Sequence, residues 1–356
     1  MSIPSQQHAL AILTKKGAWG LIPAGVEQPG PGEILVRVES TALNPIDWKV
    51  QATEYSNYMQ EYPAILGSDS AGVVVAVGEG VDNLAVGDRV FHQGFFTNRL
   101  ATFKQYAVIG ADIAAKIPDN LTFDEAATIP LGLATAAIGL YNETWERGGA
   151  NLVAPWSEGG RGKYARQPIV VFGGSSSVGQ FVLQSAKLSG FSPIITTVSP
   201  RNNDFVKSLG ATHTIDRSLS AEEIQSTIKK ITSDPVKIVY DAISIESTQT
   251  VAYDVLSPGG ILIIVLNPLI PKEKLTSDKK VINTYGTVHA ELNRKFGQGL
   301  YSNLTNLFKS GDYKPNPVEA LPGGLTGIIE GLERLQNDKV SGRKLVAHPQ
   351  ETVTLK

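Results

Sequence analysis

The run VVFGGSSSVGQFVLQSAKLSG, Val170 to Gly190, constrains the fold more than any other stretch of the sequence. It opens on β-branched and apolar residues, which suit a strand buried on both faces. After a turn of glycine and serine, apolar residues recur at helical spacing. A strand, a glycine turn and a helix in direct succession form the phosphate-holding part of a dinucleotide site. The first glycine permits the bend, the second lets the backbone approach the pyrophosphate, and the third lets helix and strand pack closely. Gly174, Ser176 and Gly179 stand at those three positions, with serine in the middle. Serine serves there if its hydroxyl donates to a phosphate oxygen while the helix N-terminus presents backbone N–H groups.

The surrounding segments extend the pattern. Apolar runs PIVVF, SPIITTV, HTIDR, VKIVYDAI and GGILIIVL alternate with the helical runs NDFVKSLG, SAEEIQSTIKKI and STQTVAYDVL. Strands alternating with helices predict an α/β fold, a doubly wound parallel sheet covered on both faces. The first third differs. HALAILT, EILVRVESTALN (Glu33 to Asn44) and SAGVVVAVGEGV (Ser70 to Val81), parted by PGPGE, VGEG and VGDRV, predict a compact, partly open β-barrel. DEAATIPLGLATAAIGLY from Asp124 reads as one helix with acidic residues in its first turn. Asn142 to Gln167 shows neither period and reads as a surface loop or insertion. Beyond Pro271 the pattern blurs until LTGIIEGLERLQNDKVSGRKLVAHP, a final helix and strand. The expected division is a barrel domain over residues 1–125, completed by about 305–356, and a dinucleotide-binding domain over 126–304.

Composition excludes several classes of function. A chain of 356 residues with a formal net charge of -2 and no long basic run lacks the clustered cations of a nucleic-acid binder. With no cysteine there is no disulfide, thiolate nucleophile or thiolate metal site. No stretch reaches the roughly 20 apolar residues of a membrane span, and the start has no signal-peptide pattern. A cytoplasmic protein is expected. GGRGKY lacks the first glycine and the final Ser or Thr of a P-loop, and GSDSAG does not contain G-x-S-x-G. His8, His92, His213, His289 and His348 are scattered without ligand spacing.

The end of the second strand of the dinucleotide unit selects the cofactor. An acidic residue there holds the ribose 2′-hydroxyl of NAD and repels the 2′-phosphate of NADP. The sequence runs TTVSPRNND, so Ser199, Arg201 and Asn202 offer one cation and several donors before Asp204 appears. NADP(H) is the expected cofactor.

Taken in order, ALNPIDWKV, YPAILGSDSAGVVVAVGEGVDNLAVGDRV, KIPDNLTFDEAATIPLGLATAAIGL, VVFGGSSSVGQFVLQSAK and SGRKLVAHP resemble the medium-chain dehydrogenase/reductase superfamily over nearly the whole chain. The GGSSSVG loop, the TTVSPRNND strand end and the IDWK run are especially similar to the fungal trans-acting enoyl reductases that serve polyketide synthases, within the zinc-free quinone and enoyl reductase branch. The resemblance implies a GroES-like barrel followed by a Rossmann domain. It places Ile46, Asp47, Trp48 and Lys49 against the nicotinamide end of the cofactor. It gives the pyrophosphate to Gly174, Ser175, Ser176, Ser177, Val178 and Gly179, and the 2′-phosphate to Ser199, Pro200, Arg201 and Asn202. Arg217, where these relatives tend to have tyrosine, would contact adenine. Ile264, Val265, Lys344 and Leu345 would close over the nicotinamide. Leu131, Gly132, Leu133, Ala134, Thr135, Ala136, Ala137 and Ile138 would line the substrate channel. The zinc alcohol dehydrogenases of the superfamily have GHE where Gly67, Ser68 and Asp69 stand, a cysteine near Asp47 and often a four-cysteine lobe, so no metal is expected.

A sequence without those ligands has no Lewis acid to polarise a simple carbonyl or alkoxide. A conjugated substrate needs less help, because hydride added at the β-carbon spreads charge onto a distant oxygen that hydrogen bonds can hold. Lys49, Tyr55, Tyr58 and Thr135 are the expected donors near that charge. The leading reading is an NADPH-dependent reductase of an enoyl thioester, enone or alkenal, on a small molecule or a carrier-bound acyl chain, with a polyketide synthase as partner. Quinone reduction, zinc-free alcohol dehydrogenation and a non-catalytic NADPH-binding scaffold remain as alternatives. Monomer and homodimer are both open.

Overall fold

The computed structural model describes residues 3–143, 145 and 147–353. They form two compact units, residues 1–131 with 297–356, and residues 132–296.

The first unit opens with strands β1 (Gln6–Ile12), β2 (Trp19–Gly25) and β3 (Glu33–Ala42), then helix α1 (Pro45–Ala52). Strands β4 (Ala64–Ile65), β5 (Asp69–Val77), β6 (Arg89–Gln93), β7 (Tyr106–Gly110) and β8 (Ala114–Lys116) follow. The Val-rich strand β5 pairs antiparallel with β3 on one side and β6 on the other. The expected single helix from Asp124 is two helices, α2 (Phe123–Ala127) and α3 (Pro130–Tyr141). Proline disfavours helical backbone at the residue before it and starts a helix well, so Pro130 divides the run. Thr122 caps α2, accepting from the Glu125 N–H at 3.2 Å.

The second unit is built on a six-stranded sheet. Its strands are β9 (Ile169–Phe172), β10 (Ile194–Val198), β11 (His213–Asp216), β12 (Ile238–Asp241), β13 (Ile261–Ile264) and β14 (Lys280–Asn283). Between them run α4 (Ser177–Ser189), α5 (Asn203–Ser208), α6 (Ala221–Ile231) and α7 (Glu246–Val255). The order is β11-β10-β9-β12-β13-β14, and every pairing is parallel. All four side chains of β9 are buried, as both faces are covered. Ile224, Ile228, Val251 and Val239 belong to the core on one face. Asn142 to Gln167 is irregular, and Thr144 and Glu146 lie outside the described residues. The rest is more than a surface loop: Ala150 and Ala154 are buried, Trp156 meets Tyr141 edge-on, and Tyr164 stacks on Phe191.

Helix α8 (Glu291–Lys309) leads the chain back to the first unit, which gains β15 (Val318–Ala320), α9 (Gly327–Gln336) and β16 (Lys344–Ala347). β16 pairs with β3, and Leu345, Ile328 and Leu332 join Leu10, Leu43 and Phe103 in one core. No helix among the described residues is long and apolar enough to cross a membrane.

Candidate functional site

The strands of the second unit end in register: Phe172 faces Thr197 on one side and Asp241 on the other, and Asp241 faces Ile264. The loops after β9, β10, β12 and β13 therefore emerge together. From β9 the chain moves to β10 on one side, while β12 lies on the other, and a doubly wound sheet takes its ligand at such a switch point.

The glycine turn sits there. Gly173 adopts φ +79 and makes the bend that the sequence pattern gives to Gly174. Gly174 serves close approach instead, for a Cβ on it would lie 2.2 Å from Thr196 Oγ1. A Cβ on Gly179 would lie 2.2 Å from the Gly173 carbonyl oxygen, so helix and strand pack as the third glycine permits. Ser176 is the N-cap of α4, its Oγ accepting from the Gly179 N–H at 3.0 Å. An accepting hydroxyl still has its hydrogen to donate. Ser175, Ser176, Ser177 and Val178 are half-buried at this N-terminus, where the helix dipole favours an anion. Ser199 follows β10, and Pro200 to Asn202 form a short turn of helix. Arg201 is exposed and in no ion pair among the described residues. Arg217 is exposed, its backbone N–H donating to the Val198 carbonyl at 3.1 Å.

Other expected cofactor residues lie elsewhere. Ile264 is fully buried in the sheet core, and its carbonyl accepts from the Thr284 N–H at 2.9 Å, so Val265, half-buried beyond it, is the accessible one of that pair. The segment Leu131 to Ile138 is helical, and a helix turns its residues through all directions. Leu133, Ala134, Ala136, Ala137 and Ile138 are buried to within 1% and cannot line an open channel; Gly132 is buried too and packs against Ser177 and Phe181, leaving half-buried Leu131 and, at 7% exposure, Thr135. The Thr135 carbonyl accepts from the Tyr240 hydroxyl at 2.8 Å.

In the first unit the sequence reading missed the central feature. Asp69 is fully buried; its Oδ2 receives the Lys344 Nζ at 2.5 Å and the Asn44 Nδ2 at 2.8 Å, and its Oδ1 the Leu131 N–H at 2.6 Å. Lys344 and Leu345 thus do not offer side chains to a ligand: the ammonium is buried against Asp69, and Leu345 is a core residue. Asp47 is corrected likewise. It is fully buried, and its Oδ2 accepts from the Asn44 N–H at 2.8 Å at the start of α1. Burial pushes its carboxyl up to about 7, with the nearby Asp69 charge adding to the rise against the Asn44 bond. Ile46 and Trp48 are partly buried on the core, and the Lys49 ammonium lies 4.7 Å from the centroid of the Trp48 ring. Burial lowers the Lys49 pKa below the usual lysine value. Tyr55 and Tyr58 form a tilted ring pair at 5.6 Å, with Tyr58 the more exposed.

The Asp47 shift carries a pH dependence. An acid whose pKa rises on folding holds its proton in the native state while the unfolded chain has lost it, so stability falls as pH rises from about 4 to about 7. Asp47→Asn keeps an oxygen to accept from Asn44 and removes the titration. Its stability, followed by urea denaturation, is expected to lose a decline on the order of a few kcal/mol over that window. Parallel profiles for the two proteins would refute this.

Two family models match the chain, the alcohol dehydrogenase GroES-like domain over residues 30–119 and the zinc-binding dehydrogenase over 177–291. A trans-enoyl reductase of Gibberella fujikuroi is 31% identical, the alignment covering 90% of this chain and 94% of that one. The enoyl reductase component lovC of the lovastatin nonaketide synthase, from Aspergillus terreus, is 30% identical over 96% of both. A solved alcohol dehydrogenase superfamily protein from Novosphingobium aromaticivorans shares the fold with a TM-score of 0.79 at 24% identity, covering 96% of this chain and 98% of that one. The chain belongs to the medium-chain dehydrogenase/reductase superfamily, among the quinone and enoyl reductases that include the fungal trans-acting enoyl reductases. It is thus an oxidoreductase of a family that works with a nicotinamide cofactor.

The zinc in the name of the second model has no fitting donor set here. No three His, Cys, Asp or Glu residues among the described ones are grouped to hold a metal ion, and Asp69 is taken by Lys344 and Asn44. The residues of the glycine turn do fit a dinucleotide pyrophosphate.

Proposed function

We propose that this protein is an NADPH-dependent, zinc-independent reductase of activated carbon–carbon double bonds that takes an enoyl thioester and acts in trans for a polyketide synthase. The observation that carries the reading is the β9–α4 turn, with a capped helix N-terminus for the pyrophosphate and Arg201, in no ion pair among the described residues, beyond the next strand. The relatives named as trans-enoyl reductase and as a synthase's enoyl reductase component support the substrate class.

The protein's residues divide the work. Ser175 to Val178 hold the pyrophosphate by backbone N–H groups and hydroxyls, and Ser199, Arg201 and Asn202 hold the 2′-phosphate, with Arg217 at the adenine. When bound, NADPH supplies a hydride to the β-carbon of the double bond. Lys49 and Thr135 donate hydrogen bonds to the substrate oxygen that gathers charge, and Tyr55, Tyr58 or water delivers a proton to the α-carbon. An exposed cation on a phosphate contributes a charge-assisted bond, so Arg201→Glu is expected to weaken NADPH binding roughly 10- to 100-fold and leave NADH binding nearly unchanged, measured by fluorescence titration. Equal losses for both cofactors would reject the assignment.

The test of the reaction is acceptor-dependent loss of NADPH absorbance with crotonyl-pantetheine, enones and naphthoquinones, alongside gain of that absorbance from NADP+ with alcohols. Turnover of the thioester or enone is expected. Turnover of naphthoquinones alone makes the protein a quinone reductase, and binding without any turnover makes it a scaffold.

A further inference from the structure

Ser244, in the loop between β12 and α7, adopts φ +58, a conformation that favours glycine. It is fully buried, and its hydroxyl does two things. It donates to the Asp241 carbonyl at 2.7 Å and accepts from the Val265 N–H at 2.8 Å. The turn that holds it is fixed from below. The Asp241 carboxylate accepts from the Ile243 N–H at 3.0 Å, the Ser244 N–H at 2.8 Å and the Thr248 hydroxyl at 2.7 Å. Gln249 ties the same two loops farther out, its Nε2 donating to the carbonyls of Ser244 and Asn267, both at 2.9 Å.

Glycine would satisfy the backbone of this turn without strain. A serine strained in a left-handed position points to work for its side chain, and among the described residues the one atom outside its own turn that the Ser244 hydroxyl holds is the Val265 N–H. Val265 is the first residue beyond β13, and its carbonyl has no hydrogen-bond partner among the described residues. The adjoining Ile243 side chain reaches within 2.5 Å of where a Cβ on Gly173 would stand, so the loop also bears on the glycine turn. From this geometry we infer that Ser244 is a positioning residue that fixes the Val265 backbone to orient the nicotinamide ring for hydride transfer. The inference rests on the proposed nicotinamide reading and adds a residue that touches neither cofactor nor substrate.

Ser244→Gly suits the test, because it keeps the turn and removes only the hydroxyl. Affinities for NADPH and for 2′-phospho-ADP-ribose, which lacks the nicotinamide, are measured by isothermal titration, alongside kcat and the KM for the acyl substrate. The variant is expected to melt within a few degrees of the wild type, because relief of the left-handed strain offsets part of the two lost hydrogen bonds, and to bind 2′-phospho-ADP-ribose unchanged. Its preference for NADPH over that fragment should shrink about tenfold, and kcat should fall by a similar factor with little change in KM. A purely structural role would move the melting temperature alone and leave the preference and kcat intact. Wild-type preference and kcat in Ser244→Gly would overturn this inference alone; a wild-type protein that binds neither ligand would overturn it together with the NADPH reading.

Discussion

Ser176→Asp is expected to raise the NADPH dissociation constant at least about 100-fold while leaving the protein folded. Aspartate is as good an N-cap as serine, so the bond to the Gly179 N–H survives and α4 keeps its start. A carboxylate there also suits the helix dipole in the free protein. The change appears only with a second anion. Two unit charges about 4 Å apart repel by about 4 kcal/mol at an effective dielectric near 20, and about 2.7 kcal/mol already corresponds to 100-fold. Ser176→Ala makes the contrast: it loses the cap, about 1 kcal/mol of stability, and introduces no repulsion. Fluorescence titration and a thermal melt on the three proteins separate the effects, and unchanged binding by Ser176→Asp would mean that the pyrophosphate lies elsewhere.

Lys344→Met should destabilise the first unit by about 3–5 kcal/mol, because it leaves the Asp69 carboxylate buried without its cation. Asn44 and the Leu131 N–H still donate to that carboxylate, but neither carries a charge. Adding Asp69→Asn to Lys344→Met removes the stranded charge and should recover most of the loss. Urea denaturation of the single and double variants measures both quantities; a single variant within about 0.5 kcal/mol of wild type would show that the pair does not hold this region together.

The parts of the fold that the sequence displayed are those where local chemistry and tertiary role agree. The strand, glycine turn and helix at Val170–Gly190 are specified within one short run, and the absence of an acid directly after β10 is visible in the five letters SPRNN, Ser199 to Asn203. Strand β2, WGLIPAG, was unreadable because glycine and proline break the alternation that marks a strand. Helix α8 escaped notice despite its 19 residues, since polar residues and glycines at 297 and 299 interrupt its apolar face. The pair of Asp69 and Lys344 is separated by 275 positions, so no spacing rule could join them. Ser244 hid for a different reason: its meaning lies in a backbone angle that residue type alone does not disclose. Asp47 and Leu345 lie in segments that resemble cofactor-contacting ones, whereas burial places each side chain in the barrel interior.

The way the chain crosses and returns between its two units bears on how the protein is made. Residues 132–296 are contiguous, so that unit has all its strands as soon as its own segment has left the ribosome. The barrel is different. Its strands β1 to β8 precede that segment, and β5 and β7 already flank β3, yet Asp69 stays without its lysine and Thr41 and Ala42 of β3 without their partners in β16 until Lys344 and that strand arrive. During synthesis the barrel is thus completed only after the contiguous unit that it flanks in sequence, and until then a buried carboxylate and one short stretch of strand wait for their partners.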